Sequence, residues 1–484
     1  MKQLDNCSTI IIGKNASTTG KVLVAHGEDD PASFTQLHMV PRVTHKEGEY
    51  LIFDDCPEVR IPEVPETCAY YWSEVRCPGG ESFADGFLNE HGVLVVSNSC
   101  VEAKTTDADP QPKGIGAGLR RLIAERCTTA REGVEVAAYL LKNFGYRSSR
   151  CYTIADKDEA WMFQATTGPN YVAQRVGDDE VAYIPNWYTI HEVDLKDTEH
   201  KKFYFSETLV DYPLRNGWYK PAKEGDYSDF DFTEAYMTPS CLVASNTECS
   251  DIAWTALTGE AKPYRTFSVK AEKKYSPSDL KKILRTHYTG WEEDLKKDPK
   301  MSPHRYGICR DTTRESLVME FNEVKELNCM WRAHLRPCTN PFVPFYQGIL
   351  TIPEGYERLS YKAAQRSHLT PDDSDFTYHP ERAASAFYML MNIMEFDYAS
   401  CAPLIHGEIA EMEKEWDVTK PQMDKVFLAL KDLNYRYARN ILNDYTAAAA
   451  EKSFKWAQDA AFRLVKMKDR ANMDYWRREV YHLY

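Results

Sequence analysis

The chain has 484 residues, of which 43% are hydrophobic and 12% aromatic, enough to bury a large core in two or three structural units. Its formal net charge is −14 and it has no long basic run, so a nucleic acid partner is not expected. It has no apolar run of about 18 residues, so a membrane-spanning segment is not expected either.

The 13 cysteines are an odd number and are scattered without a CxxC pair. This pattern argues against a disulfide framework and favours a reducing, cytoplasmic compartment. The histidines and cysteines lack the close spacing along the chain that is typical of a metal site. We interpret His304 and His334 as structural or substrate-side residues. The sequence therefore predicts a protein without a metal ion or a cofactor.

Up to about residue 334 the sequence predicts strands and three helices. Apolar runs at 8–12 and 22–26 are joined by a polar segment bracketed by Gly13 and Gly20, which indicates a β-hairpin. Further apolar runs predict strands at 92–97, 152–155, 159–163, 316–321 and 329–334. Apolar residues at helical spacing predict helices over 119–126, over 135–141 and from 278 to about 288.

The last quarter of the chain has a different character. Long amphipathic segments with few glycines predict helices over 380–395, 420–443 and 446–480. Strands, then helices, then strands again indicate an α+β fold in which helices cover both faces of two sheets. We predict a leader of residues 1–6, a core over 7–370 with the first strand at its centre, and a helical C-terminal region over 371–484 packed on the core.

Cys7 is the strongest candidate for a nucleophile. It begins the first apolar run after only six residues. If the bond between Asn6 and Cys7 is cut, Cys7 gains a free α-amine that can act as base toward its own thiol, as in N-terminal nucleophile hydrolases. The alternative, from the residues alone, is that Cys7 packs in the core as a small apolar side chain.

Polar residues elsewhere offer the other groups that such a hydrolase needs. His26 and the carboxylates at 28–30, Asp29 among them, end the second predicted strand. A carboxylate near an α-amine orients the amine and tunes its pKa. Asn98 and Asn186 flank apolar runs, and a side-chain amide is a suitable donor to an oxyanion. From the residues alone, polar turns explain the same pattern.

Several ordered segments resemble a known family. Cys-Ser-Thr-Ile at 7–10 is similar to its Cys-Thr-Thr-Ile start, and Ala-His-Gly-Glu-Asp at 25–29 is similar to its Ala-Arg-Asn-Glu-Asp segment. Asn-Glu-His-Gly-Val at 89–93 resembles its Asn-Glu-x-Gly-Val turn, and longer matches lie at 122–132, 154–161 and 314–346. The family is that of the self-processing C69 dipeptidases, a branch of the N-terminal nucleophile (Ntn) hydrolases related to the bile salt hydrolases and penicillin V acylases.

The resemblance implies a four-layer αββα Ntn-hydrolase sandwich and a cysteine dipeptidase that removes its own leader. Cys7 is then the nucleophile and its freed amine the base. Asp29 falls where relatives hold that amine with a carboxylate. Asn186 falls near the asparagine that holds the oxyanion or the amine in bile salt hydrolases, and Asn98 near their other site asparagine. The implied substrate is a small peptide.

One position departs from the family pattern. Relatives carry arginine, a permanent cation that lowers the thiol pKa, where this chain has His26. A histidine lowers the thiol pKa less and would make activity sensitive to pH. An acylase of another linear amide (an N-acyl amino acid, a conjugated bile salt or penicillin V) and a non-catalytic scaffold remain alternative functions. Aromatic residues at the C-terminal end favour a homo-oligomer.

Overall fold

The strand that follows Cys7 lies inside a seven-stranded antiparallel sheet. We describe the fold from a computed structural model. The structure describes residues 7–30, 34–77, 86–99, 103–106, 114–298, 301–305 and 307–475. The predicted leader, residues 1–6, lies outside the described residues.

The strands of the described residues are, in chain order, β1 (Ser8–Ile12), β2 (Leu23–Asp29), β3 (Phe34–Val40), β4 (Val43–Thr44), β5 (Tyr50–Leu51), β6 (Ile61–Pro62), β7 (Glu66–Thr67), β8 (Tyr70–Arg76), β9 (Gly86–Asn89), β10 (Leu94–Ser99), β11 (Arg150–Ala155), β12 (Ala160–Ala165), β13 (Tyr171–Arg175), β14 (Glu180–Ile184), β15 (Phe203–Phe205), β16 (Ser268–Lys270), β17 (Thr313–Glu320), β18 (Cys329–His334) and β19 (Val343–Tyr346).

The helices of the described residues are α1 (Leu119–Arg126), α2 (Ala130–Phe144), α3 (Asp211–Arg215), α4 (Phe232–Tyr236), α5 (Ala244–Thr258), α6 (Pro277–Leu284), α7 (Trp291–Lys297), α8 (Tyr361–Ser367), α9 (Ala383–Glu395), α10 (Tyr398–Leu430) and α11 (Tyr435–Tyr475). Short 3-10 turns lie at Lys14–Ala16, Pro239–Cys241, Lys325–Leu327 and Asp373–Phe376. Among these helices none has both the length and the apolar character needed to cross a bilayer.

Two large sheets form the middle layers of the fold. One has seven strands in the order β16-β14-β1-β2-β17-β18-β19, and the other has eight in the order β15-β13-β12-β11-β10-β9-β8-β3. Apolar residues of both sheets share one buried core, which includes Ile10, Val24, Val96 and Met162. Helices α5 and α6 pack on the outer face of the first sheet, and α1 and α2 on the outer face of the second. The predicted four-layer αββα sandwich is confirmed.

The predicted N-terminal hairpin is confirmed and sets the position of Cys7. β1 pairs with β2 on one side and with β14 on the other, so the first strand has neighbours on both edges. The three isoleucines of β1 are fully buried. Burying an isoleucine side chain contributes about 1.5 to 3 kcal/mol, so this strand holds the adjacent Cys7 against a rigid part of the core.

The C-terminal region is helical, as predicted, but the bounds of the predicted helices over 420–443 and 446–480 differ, and so does the end of the helix predicted from 278. The predicted helix over 420–443 is wrong: α10 begins at Tyr398 and ends at Leu430, and α11 begins at Tyr435. Asn434 separates the two helices, because its side-chain oxygen accepts a hydrogen bond of 3.0 Å from the backbone N–H of Tyr437 and so caps α11. Helix α6 ends at Leu284, before the predicted end near 288.

Helices α9, α10 and α11 close one side of the sandwich. α10 and α11 pack against β19, the edge strand of the first sheet, and α9 packs against β3, the edge strand of the second. An exposed edge strand is a site for unwanted pairing with other chains, and a helix that covers it removes that hazard.

Candidate active site

Strand pairing brings four polar side chains together on the inner face of the first sheet. Thr9 of β1 lies opposite His26 of β2. Because side chains alternate between the two faces of a strand, Cys7 shares the face of Thr9, and Glu28 shares the face of His26. All four residues are buried, and Cys7 is 4% exposed. The face they share is the one that meets the second sheet, since Thr9 contacts Asn98 of β10.

A continuous chain of hydrogen bonds joins these side chains. Cys7 Sγ donates to Glu28 Oε1 at 2.9 Å, and the other carboxylate oxygen, Oε2, lies 3.0 Å from His26 Nε2. His26 Nδ1 lies 2.7 Å from Thr9 Oγ1, which donates to Asn98 Oδ1 at 2.6 Å. The thiol is therefore linked through a carboxylate and an imidazole to the opposite sheet.

The pattern of donors fixes where the protons of this chain lie. The hydroxyl of Thr9 has one proton, and it goes to Asn98 Oδ1, because the amide nitrogen of Asn98 donates to the carbonyl oxygen of Ile184. His26 Nδ1 must then carry a proton and donate to Thr9. On its other side the ring places Nε2 3.0 Å from Glu28 Oε2.

Asp29 faces the opposite side of β2 from Glu28, toward the helical layer. Its carboxylate accepts a hydrogen bond of 2.7 Å from Thr313 Oγ1 and lies 3.3 Å from Arg310 Nε. Burial raises the pKa of Asp29 to about 7, assisted by the negative charge of Glu28 and opposed by Arg310 and Thr313. Asp29 is therefore close to half-protonated near neutral pH.

The thiol of Cys7 is held in its protonated form. Burial raises its pKa well above the ordinary value, and the charges of Glu28 and Asp29 raise it further, although a backbone hydrogen bond from Asp29 acts in the opposite direction. A protonated thiol is a poor nucleophile. The thiol of Cys7 therefore needs a group that takes its proton before it can attack a carbonyl carbon.

A buried cation lies near this thiol. Arg150 on β11 is 6% exposed and donates to Ser97 Oγ at 3.3 Å. Burial disfavours the charge of Arg150, while electrostatic interactions with Tyr146 and Tyr152 and, more weakly, with Cys7 and Glu28 raise its pKa. The guanidinium therefore lies within electrostatic range of Cys7 and Glu28.

The two predicted asparagines lie on either side of the same strand end. Asn98 ties the two sheets together through Thr9 and Ile184. Asn186, which follows β14 and is buried, donates from Nδ2 to Ser99 Oγ at 3.1 Å. Ser99 follows Asn98 on β10, so the two asparagines are linked to adjacent residues at the end of this strand. Each amide nitrogen carries a second proton that these bonds do not use.

A small cavity between the sheets adjoins the site. It has a volume of about 20 Å³ and is lined by His26, Glu28 and apolar residues of both sheets, together with the buried ion pair of Glu315 and Arg332. A space of this size holds about one water molecule. It is too small for a dipeptide.

The sequence analysis missed two residues around Cys7, Thr9 and Arg150, and it named Glu28 only as one of three carboxylates near the end of the second strand. Alternation along the predicted strands could have identified Thr9 and singled out Glu28, since Thr9 is two residues from Cys7 and Glu28 is two residues from His26. Arg150 lies on the other sheet, and no local pattern indicates it.

Comparison with known proteins identifies the family of this chain. The model of the family described as Peptidase family C69 matches residues 6–370. The chain belongs to this family. It is accordingly a hydrolase of the peptidase class.

The relatives include proteins named dipeptidases. Probable dipeptidase A of Streptococcus pyogenes is 25% identical over 447 residues, which cover 85% of this chain and 91% of that protein. The dipeptidase of Bifidobacterium longum is 24% identical over 396 residues, 72% of each chain. Dipeptidase A of Lactobacillus helveticus is 24% identical over 382 residues, 74% of this chain and 78% of that protein. A solved variant of conjugated bile acid hydrolase from Clostridium perfringens is 9% identical, with a TM-score of 0.29, and the match covers 68% of this chain and 89% of that one.

Proposed function

We propose that this protein hydrolyses the amide bond of dipeptides, with Cys7 as the nucleophile. The observation that carries the proposal is the thiol of Cys7 at the start of β1, bonded to Glu28 within the region that the family model matches. The names of the relatives supply the substrate class. A cytoplasmic location, a homo-oligomer and a boundary at residue 370 remain predictions.

Cleavage of the bond between Asn6 and Cys7 would switch the site on. In the uncut chain the nitrogen of Cys7 belongs to a peptide bond and cannot accept a proton, and the thiol pKa is raised. Cleavage creates an α-amine with an ordinary pKa of about 7.7 to 8.0. In its neutral form this amine can take the proton of its own thiol. The carboxylates of Glu28 and Asp29 would then hold the resulting ammonium group.

The reaction itself needs two steps. Cys7 Sγ attacks the scissile carbonyl carbon while the thiol proton passes to the α-amine, and the tetrahedral oxyanion accepts hydrogen bonds from the spare amide proton of Asn186 and from backbone amides. The C–N bond then breaks and the α-ammonium returns the proton to the leaving amine. Water, activated by the same α-amine, hydrolyses the thioester and regenerates the thiol.

The test separates processing from catalysis. Protein beginning at residue 7 is produced from a fusion with a removable leader, as wild type, as Cys7→Ala and, as a matched control, as Cys401→Ala, which alters a buried cysteine of α10. Each is assayed on a panel of dipeptides and of N-acyl amino acids.

We expect dipeptide turnover by the wild type and the control, and a loss of at least about 1,000-fold in Cys7→Ala, because no other nucleophile replaces the thiol. Full turnover by Cys7→Ala would refute the mechanism. A preference for N-acyl amino acids would instead identify an acylase, and no turnover by any form would identify a scaffold.

A further inference from the structure

A second cluster of chemically reactive side chains lies outside the candidate active site. His287, His304, Cys309 and Cys338 each direct one ligand atom to a common point, and these four atoms lie within 4.8 Å of one another. His304 and both cysteines are buried, and His287 is partly buried. The residues come from the segment after α6, the segment before β17 and the turn after β18, so the fold assembles the cluster from distant parts of the chain.

We propose that these four side chains bind one zinc ion. Two thiolates and two imidazoles are a ligand set of structural zinc sites, which are tetrahedral and closed. With Zn–S bonds of about 2.3 Å and Zn–N bonds of about 2.0 to 2.1 Å, tetrahedral ligand atoms lie about 3.3 to 3.8 Å apart. The observed separations fall within reach of that geometry after small side-chain rotations.

The two histidines are arranged as metal ligands. His304 Nδ1 lies 2.8 Å from Glu395 Oε2, which leaves Nε2 facing Cys338 Sγ at 3.1 Å. A carboxylate on the far nitrogen of an imidazole is a regular partner of metal-binding histidines, because it fixes the ring and makes the ligand nitrogen more basic. His287 Nε2 is buried and forms no hydrogen bond with the described residues. A buried nitrogen without a partner destabilises the folded protein, and a bound metal ion would remove that cost.

The position of the cluster indicates what the ion would do. Cys309 is followed by Arg310, which pairs with Asp29 of the candidate active site. Glu395 ends α9, so the C-terminal helices also meet the cluster. An ion with four protein ligands would therefore fix the loop that carries Arg310 and join it to the helices that close the sandwich. This replaces the prediction of a metal-free protein, which rested on the spacing of neighbouring residues along the chain.

The experiment measures metal content directly. Full-length protein is purified under reducing conditions without a polyhistidine tag or chelator, dialysed, and analysed for zinc by mass spectrometry. The variants are Cys338→Ser and His287→Gln, of which the second alters a partly exposed residue and should fold. Cys329→Ala, at a buried cysteine of β18 outside the cluster, is the matched control.

We expect about one zinc ion per chain in the wild type and in the control, and a loss of about tenfold or more in both cluster variants. Cobalt added to stripped wild type should give the visible absorption of tetrahedral cobalt–thiolate, a readout independent of activity. The proposal is overturned if wild type incubated with equimolar zinc and dialysed remains metal-free, if Cys338→Ser keeps its zinc, or if Cys309 and Cys338 form a disulfide in the purified protein.

Discussion

Replacing Asp29 with asparagine should change how the stability of this protein depends on pH. The pKa of Asp29 is raised from 3.8 to about 7 in the folded protein, chiefly by burial. Between these two values the folded protein keeps a proton that the unfolded chain has released. The free energy of unfolding therefore falls as pH rises from about 4 to about 7. The contribution of protonated Asp29 to this free energy is fully present only below about pH 4.

The size of the effect follows from the pKa difference. A shift of roughly three units corresponds to on the order of 4 kcal/mol, since each unit is about 1.4 kcal/mol. The asparagine side chain of the Asp29→Asn variant is uncharged and cannot contribute this dependence, although its oxygen can still accept the hydrogen bond from Thr313. Relative to the variant, wild type should lose about 1.4 kcal/mol of unfolding free energy per pH unit in the middle of the range.

The assay is urea unfolding, followed by tryptophan fluorescence, at several values between about pH 4.5 and about pH 7.5. Both proteins carry Cys7→Ala, so that neither is processed and the two are compared in the same covalent state. Asp311→Asn, at an exposed carboxylate near the same loop, is the control and should parallel the wild type. Parallel curves for wild type and Asp29→Asn would refute the claim that Asp29 is protonated on folding.

Three further substitutions test the site and its supports. Glu28→Gln removes a charge that raises the pKa of Cys7, so the rate at which iodoacetamide labels Cys7, measured by peptide mass spectrometry, should rise about tenfold, and an unchanged rate would contradict the contact. Thr9→Val removes the hydroxyl that donates to Asn98 Oδ1, so this buried oxygen loses its hydrogen bond and the unfolding free energy should fall by about 1 to 3 kcal/mol. An unchanged unfolding free energy would show that this link between the sheets is not needed for stability. Gly92 has a φ of +86°, and a Cβ added there would lie 2.9 Å from the side-chain nitrogen of Asn328. Gly20 has a φ of +70° but no atom within 4 Å of an added Cβ, so Gly92→Ala should lower the unfolding free energy more than Gly20→Ala. Equal losses at the two glycines would show that crowding does not matter there.

The hairpin that holds Cys7 could be predicted because its signals are local. An apolar run, a segment bracketed by Gly13 and Gly20, and a second apolar run specify two paired strands. Pairing then determines which side chains meet, and Glu28 follows from His26 by alternation. The resemblance to the family added the four-layer order of sheets and helices.

Contacts between distant segments could not be predicted in this way. Arg150 and Arg310 reach the site from the second sheet and from a loop, and the zinc cluster draws on three separate segments. Each such contact depends on the packing of whole layers. The division between α10 and α11 could have been predicted from the sequence, because Asn434 is a residue type that often caps the start of a helix. Pro421 lies inside α10, which continues through it to Leu430.

The central claim is that Cys7 becomes an N-terminal nucleophile by cutting its own chain. The most direct test is the intact mass of freshly purified full-length wild type beside Cys7→Ala. The account predicts that wild type loses residues 1–6 and that Cys7→Ala keeps them, because the thiol that attacks the preceding peptide bond is missing. It would be contradicted if both proteins kept the six residues while wild type hydrolysed dipeptides, or if both lost them.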